Sequence, residues 1–247
     1  MTKLWLVGIG TGNPGHVTAE GAQAIRDADL ILIPRKGADK ADLADLRRQI
    51  VAGIRGPEAP VAEFDLPVRD ADAAYLDAVE DWHDRIAAVW AETIAAADPP
   101  PRRVALLIWG DPSLYDSSLR IAARLSPRPA LRVVPGITSL QALTAAHAIP
   151  LNALAAPVLI TTGRRLRAAG WPAGVDRLAV MLDGGCAFAG LDAPGARIWW
   201  GAYLGMPEEL LDHGPLAEAA PRIVARRADA RTRHGWIMDS YLLARDG

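Results

Sequence analysis

The sequence predicts an α/β protein. Short apolar runs of strand length alternate with amphipathic stretches of helical period. Several of those runs end in a glycine- or proline-bearing turn that leads into a helix. The composition agrees, because 51% of the 247 residues are hydrophobic and 23% charged. That balance supplies a sizeable core and excludes a disordered chain.

The strand-like runs fall at residues 4–9, 30–33, 104–109, 131–134, 158–161, 178–182, 198–203 and 236–243. Helices are expected at 18–27 and 39–50. The longest, at 70–97, places Leu76, Val79, His83, Ile86 and Trp90 at three- and four-residue spacing, with acids crowding its first turns. Pro99-Pro100-Pro101 ends it, since proline has no backbone donor. Residues 53–60, Gly-Ile-Arg-Gly-Pro-Glu-Ala-Pro, read as a surface loop. A boundary is expected between Val133 and Ser139, at Pro135-Gly136, giving domains 1–135 and 136–247. Beyond it the strands come closer together with fewer helices between them, which predicts a more mixed second sheet. The run 222–233, with five arginines, reads as an exposed face.

Charge and cysteine usage narrow the classes. With 27 basic and 29 acidic residues the formal net charge is −2, so no global footprint for nucleic acid or anionic membrane exists. One cysteine, Cys186, excludes an internal disulfide and a cysteine-based zinc site. No run approaches the roughly 18 apolar residues of a membrane span, and the first apolar stretch is too short for a signal peptide. A soluble protein of a reducing, cytoplasmic compartment is expected.

Three joints carry polar chemistry. Gly10-Thr11-Gly12-Asn13-Pro14-Gly15 satisfies the G-x-G-x-x-G spacing after a strand and before a helix. A dinucleotide fold wants an acid about 20 residues on, to hold a ribose; here the second strand ends Ile33-Pro34-Arg35-Lys36. Pro14 also removes a donor from the turn. The loop therefore reads either as a tight turn or as the neighbour of another nucleotide-type cofactor. Trp109-Gly110-Asp111-Pro112-Ser113-Leu114-Tyr115 follows a buried-type strand, where open α/β sheets bind ligands; an ordinary Asp-Pro turn is the alternative. Val134-Pro135-Gly136-Ile137-Thr138-Ser139 again joins a strand to a helix, its hydroxyls being ligand groups or N-caps.

In this order and spacing the three joints resemble the tetrapyrrole methylase family. The stretches 33–40, 81–84, 198–207 and 235–239 extend the likeness, over the whole chain, to members that methylate precorrin-5 at C1 with release of acetate in cobalamin synthesis. The resemblance implies two α/β domains, distinct from the Rossmann methyltransferases, with the ligand cleft between them. It implies S-adenosylmethionine as donor, no metal, and a homodimer. Donor contacts carry over to Trp109, Gly110, Asp111, Ser113, Leu114, Thr138, Ser139, Met181, Leu182, Ala202, Tyr203 and Leu204. Relatives have acids where Asn13 stands and near His16, which makes His16 a candidate particular to this reaction.

Such a reaction needs its partners held about 3–3.5 Å apart, a base near the water that attacks the acetyl group, and a donor for the oxyanion. The base candidates are Asp111, His16 and Tyr115. The substrate is a polycarboxylate, so Arg35, Lys36 and Arg164 are the candidate anchors, beside the loop of Gly10, Gly12 and Pro14. Trp109, Trp199 and Trp200 offer flat surfaces, although core packing uses strand tryptophans more often. Two rivals stand beside this reading: an NAD(P)-dependent oxidoreductase resting on the glycine spacing, and a non-catalytic tetrapyrrole or S-adenosylmethionine carrier.

Overall fold

A computed structural model describes residues 2–35, 41–70 and 75–245. The chain divides into two compact units, Met1–Ile137 and Thr138–Gly247.

The first unit is built on a parallel sheet of β1 (Lys3–Gly8), β2 (Leu30–Arg35), β3 (Val61–Asp65), β4 (Arg103–Ile108) and β5 (Ala130–Val134), in the order β3-β2-β4-β1-β5. Helices α1 (Ala19–Asp27), α2 (Ala41–Arg55), α3 (Tyr75–Ala95) and α4 (Ser118–Ala122) cover it. Sheets covered on both faces need strands apolar on both faces, and β1 meets that demand. Its Leu4 and Leu6 join Ile86, Trp90 and Ile121 of α3 and α4 on one face. Its Trp5 and Val7 join Ile25, Ile50 and Val51 of α1 and α2 on the other. Thr18 caps α1 by accepting from the Gly21 amide at 3.0 Å.

The second unit is mixed, as the spacing of its strands predicts. β6 (Leu159–Thr162), β7 (Arg177–Met181), β8 (Arg197–Ala202), β9 (Leu210–Pro215) and β10 (Asp239–Ala244) lie in the order β6-β7-β10-β8-β9. Only β6 and β7 pair in parallel; the other pairs are antiparallel. Helices α5 (Ser139–His147), α6 (Gly163–Ala169) and α7 (Leu216–His234) complete it.

Four expectations change. Residues 53–55 are the last turn of α2 rather than loop. The edge strands β3 and β9 were not foreseen, because their charged residues (Glu63, Asp65, Asp212) break an apolar run that an edge does not need. The last strand begins at Asp239, three residues later than expected. The arginine run lies on α7, and its Arg227 is buried rather than exposed. Lys36 lies outside the described residues.

Candidate functional site

The chain leaves β1 and β2 for helices on one face of the first sheet, and β3 and β4 for helices on the other. The adjacent strands β2, β4 and β1 therefore send their loops in opposite directions, which opens a crevice at their carboxyl ends. Three glycines close the floor of that edge. A Cβ on Gly136 would lie 2.1 Å from the Gly110 carbonyl oxygen, and one on Gly8 would lie 2.6 Å from the Gly136 nitrogen. Only hydrogen at both positions lets the three loops touch. Gly10 and Gly110 bridge reciprocally, with Gly110 N–H to Gly10 O at 2.7 Å. Gly10 has φ +77, and a Cβ there would strike that of His16 at 2.4 Å.

Asp111 ties this floor together. Its Oδ1 accepts from the Ser113 amide at 2.8 Å and the Ser113 hydroxyl at 2.5 Å, and its Oδ2 from the Gly136 amide at 2.9 Å. Burial pushes its carboxyl upward, but these three bonds outweigh it and hold the group below its ordinary value. A carboxylate so occupied is a weak base. Leu114 N–H donates to Asp111 O at 3.3 Å, and Tyr115 follows at φ 51, a left-handed conformation strained for a bulky residue. His16 stands on a short 3-10 turn begun by Pro14 and capped by Asn13, and its Nδ1 is 3.0 Å from the Thr11 hydroxyl. Gly12 is buried between them.

The anchoring cations fare differently. Arg35 donates to Asp65 at 2.8 Å and lies 3.9 Å from Glu63, so its charge is already opposed by two carboxylates of β3. Arg164 is exposed in the first turn of α6. Sequence reasoning missed Arg47 of α2, which is 7% exposed and bonds to the carbonyls of Leu107 and Leu43.

In the second unit, Leu182, Tyr203 and the start of β10 share one sheet edge, where Tyr203 N–H donates to Met238 O at 3.0 Å. Leu182 and Tyr203 both have left-handed backbones, φ 53 and 51. Leu182 is 63% exposed, while Met181 is half-buried. Ala202, Tyr203 and Leu204 are buried, so their side chains serve the core and only their backbone can face a ligand. Tyr203 goes further: its hydroxyl donates to Trp236 O at 2.5 Å, and its carbonyl already accepts from Met206. Thr138 is the N-cap of α5, accepting from the Leu140 amide at 3.2 Å. Ser139 and Ser240 exchange a hydroxyl bond at 2.8 Å. Trp200 is fully buried and donates to Asp239, a core role.

Behind Leu182 lies a buried polar network that the sequence reading missed. Asp183 accepts from the amides of Gly185 and Ala187, from Tyr241 at 2.8 Å and from Arg167 at 3.1 Å. Arg227 bridges the Asp183 carbonyl and Asp239. Burial, with Asp183 beside it, pushes the Tyr241 phenol up. The signal was available: Met181-Leu182-Asp183-Gly184-Gly185 puts an acid and glycines after a buried strand, as Trp109-Gly110-Asp111 does. Among the described residues, no group of three or more His, Cys, Asp or Glu is arranged to hold a metal. Nor is any described helix long and apolar enough to cross a membrane.

A precorrin-6A synthase (deacetylating) of Sinorhizobium is 45% identical over 249 residues, covering 98% of this chain and 95% of that protein. The crystal structure of a putative cobalamin synthesis related protein, CobF, of Corynebacterium diphtheriae superposes with a TM-score of 0.84 at 36% identity, covering 99% of both chains. A uroporphyrin-III C-methyltransferase of Thermus thermophilus, complexed with S-adenosylhomocysteine, shares the fold at a TM-score of 0.63 and 21% identity, over 98% of this chain and 97% of that one. Residues 3–220 match the family described as Tetrapyrrole (Corrin/Porphyrin) Methylases, and the chain belongs to that family.

Proposed function

We propose that this protein is an S-adenosylmethionine-dependent C-methyltransferase that methylates precorrin-5 at C1 with release of acetate, giving precorrin-6A in cobalamin biosynthesis. The observation that carries the reading is the 45% identity, over 98% of the chain, to a precorrin-6A synthase (deacetylating). A homodimer working in the cytoplasm without a metal belongs to the same reading.

The residues present fit such a donor. Exposed Leu182 and Met238, at one sheet edge, offer the apolar surface an adenine needs. The strained backbone at Leu182 and the polar network under Asp183 hold that surface in place. When bound, the donor supplies an electrophilic methyl group on sulfur. The protein's part is to position the acceptor carbon in line with it. For acetate release it must also direct a water and take up a proton. Asp111 is occupied by its turn, whereas His16 is anchored through Nδ1 by Thr11, so His16 is the better-placed base of the two.

The test is a paired assay. Titration calorimetry should show S-adenosylhomocysteine binding and no NADH binding. Turnover of precorrin-5 should yield acetate and S-adenosylhomocysteine in a one-to-one ratio, unaffected by a chelator. Binding without turnover would mark a carrier, and methylation without acetate would mark a different tetrapyrrole substrate.

A further inference from the structure

Toward the carboxyl edge of the first sheet, the pairing of β2 with β4 ends at Leu32 and Leu106. Beyond that point β2 continues with β3 alone, as far as Arg35 and Asp65. The Ile108 carbonyl is taken by Ile9 on the β1 side, and carbonyls alternate along a strand, so the Leu107 carbonyl faces the gap that β2 has left. Arg47 reaches into that gap. Its Nε donates to Leu107 O at 3.2 Å and its Nη1 to Leu43 O at 3.0 Å, and its guanidinium lies 5.0 Å from the centre of the Trp109 ring.

Among the described residues no carboxylate lies within salt-bridge distance of Arg47, in contrast to Arg35 and Arg48 beside it. Burial pushes its guanidinium down to about 10, with the charge of Asp116 opposing, so at neutral pH the charge is present, with no carboxylate in contact among the described residues. The Trp109 indole N–H is likewise buried, with no partner among the described residues. Buried charges are ordinarily paired, and an orphaned donor beside one points to a partner outside the described residues, which a bound carboxylate would supply.

We propose that Arg47, with Trp109, forms a carboxylate-recognition subsite in the crevice between β2 and β4, where one acidic side chain of the tetrapyrrole is bound. The assignment rests on the reading of the substrate as a tetrapyrrole polycarboxylate. It moves the main anchoring charge from Arg35, which β3 neutralises, to Arg47, which has no salt-bridge partner among the described residues.

The experiment compares the affinities of wild type, Arg47→Met, Arg47→Lys and Trp109→Phe for precorrin-5, under anaerobic conditions, and for S-adenosylhomocysteine. Arg47→Met should weaken precorrin-5 binding about 10- to 100-fold, the range for losing a charged hydrogen bond, with S-adenosylhomocysteine affinity within about twofold. Arg47→Lys keeps the charge but loses the planar fork, so its loss should be intermediate. Trp109→Phe, which removes the indole N–H, should reduce precorrin-5 affinity more than S-adenosylhomocysteine affinity, the reverse of what a methyl-donor contact at Trp109 would give. If Arg47→Met fails to fold, Arg47→Lys decides: unchanged precorrin-5 affinity there overturns the subsite. A folded Arg47→Met protein with unchanged precorrin-5 affinity, or with equal losses for both ligands, overturns it as well. Wild-type protein that binds S-adenosylhomocysteine but not precorrin-5 defeats the functional reading, and the subsite with it.

Discussion

At Asp111 two chemical roles compete for one carboxylate. Three hydrogen bonds, from the Ser113 amide and hydroxyl and from the Gly136 amide, make it a brace between two loops. Asp111→Asn replaces one acceptor with an amide N–H and leaves a donor facing a donor, which costs about 1–3 kcal/mol. The expected outcome is a lower Tm and weaker S-adenosylhomocysteine binding, with acetate and S-adenosylhomocysteine still released one to one. An unchanged Tm with both products reduced about 10²–10⁴-fold would instead assign Asp111 as the base. Because its carboxyl is held below the ordinary value, its stabilising contribution is complete above the unfolded value of about 3.9 and is lost as pH falls through the folded one. Arg227 gives a second test of this kind. It pairs with Asp239 at 2.9 Å, with the two side chains 10% and 5% exposed. Arg227→Met strands a buried carboxylate and is expected to cost about 3–5 kcal/mol, read from a denaturant midpoint.

Among the elements, the strand ends leave the least room for change. Gly136→Ala would push a methyl into the Gly110 carbonyl, where backbone meets backbone and no side chain can yield. A loss of about 1–3 kcal/mol is expected, as in other overpacked sites, together with weaker S-adenosylhomocysteine binding. The long helix α3 carries a different liability. His83 is 2% exposed, and neither ring nitrogen has a partner among the described residues. Burial first, then the positive charge of Arg124, lowers its affinity for a proton. The unfolded chain therefore binds more protons between the folded value and about 6.5, so stability is complete above that range and declines as pH falls through it. His147, lowered chiefly by burial, adds to the same decline. His83→Phe should flatten part of the fall in Tm as pH drops below about 6.5; an unaltered slope would remove His83 from the cause.

The whole molecule poses the question of assembly. Each sheet ends in an edge strand with exposed apolar side chains, Leu131 and Val133 on β5 and Leu159 and Ile160 on β6. Such edges are ordinarily blunted or covered, and the proposed homodimer would be one way to cover them. Light scattering at micromolar concentration should then give twice the chain mass of 26.3 kDa. A mass equal to that of one chain would count against a dimer.

The sequence by itself determined the alternation of strands and helices, the three strand-to-helix joints and the family. Each of these is written locally, in apolar runs, proline and glycine punctuation, and motifs a few residues long. It did not reveal the edge strands β3 and β9, whose pairing with a neighbour replaces the apolar run that a central strand needs. Nor did it show which charges are paired. Arg35 reads as a free cation until β3 brings Asp65 alongside, 30 residues later in the chain. Arg227 reads as part of an exposed face and Arg47 carries no signal of its own until the fold buries both, one against Asp239 and the other with no carboxylate in contact among the described residues. Whether a charge is paired depends on neighbours distant in sequence, and only the tertiary structure decides that.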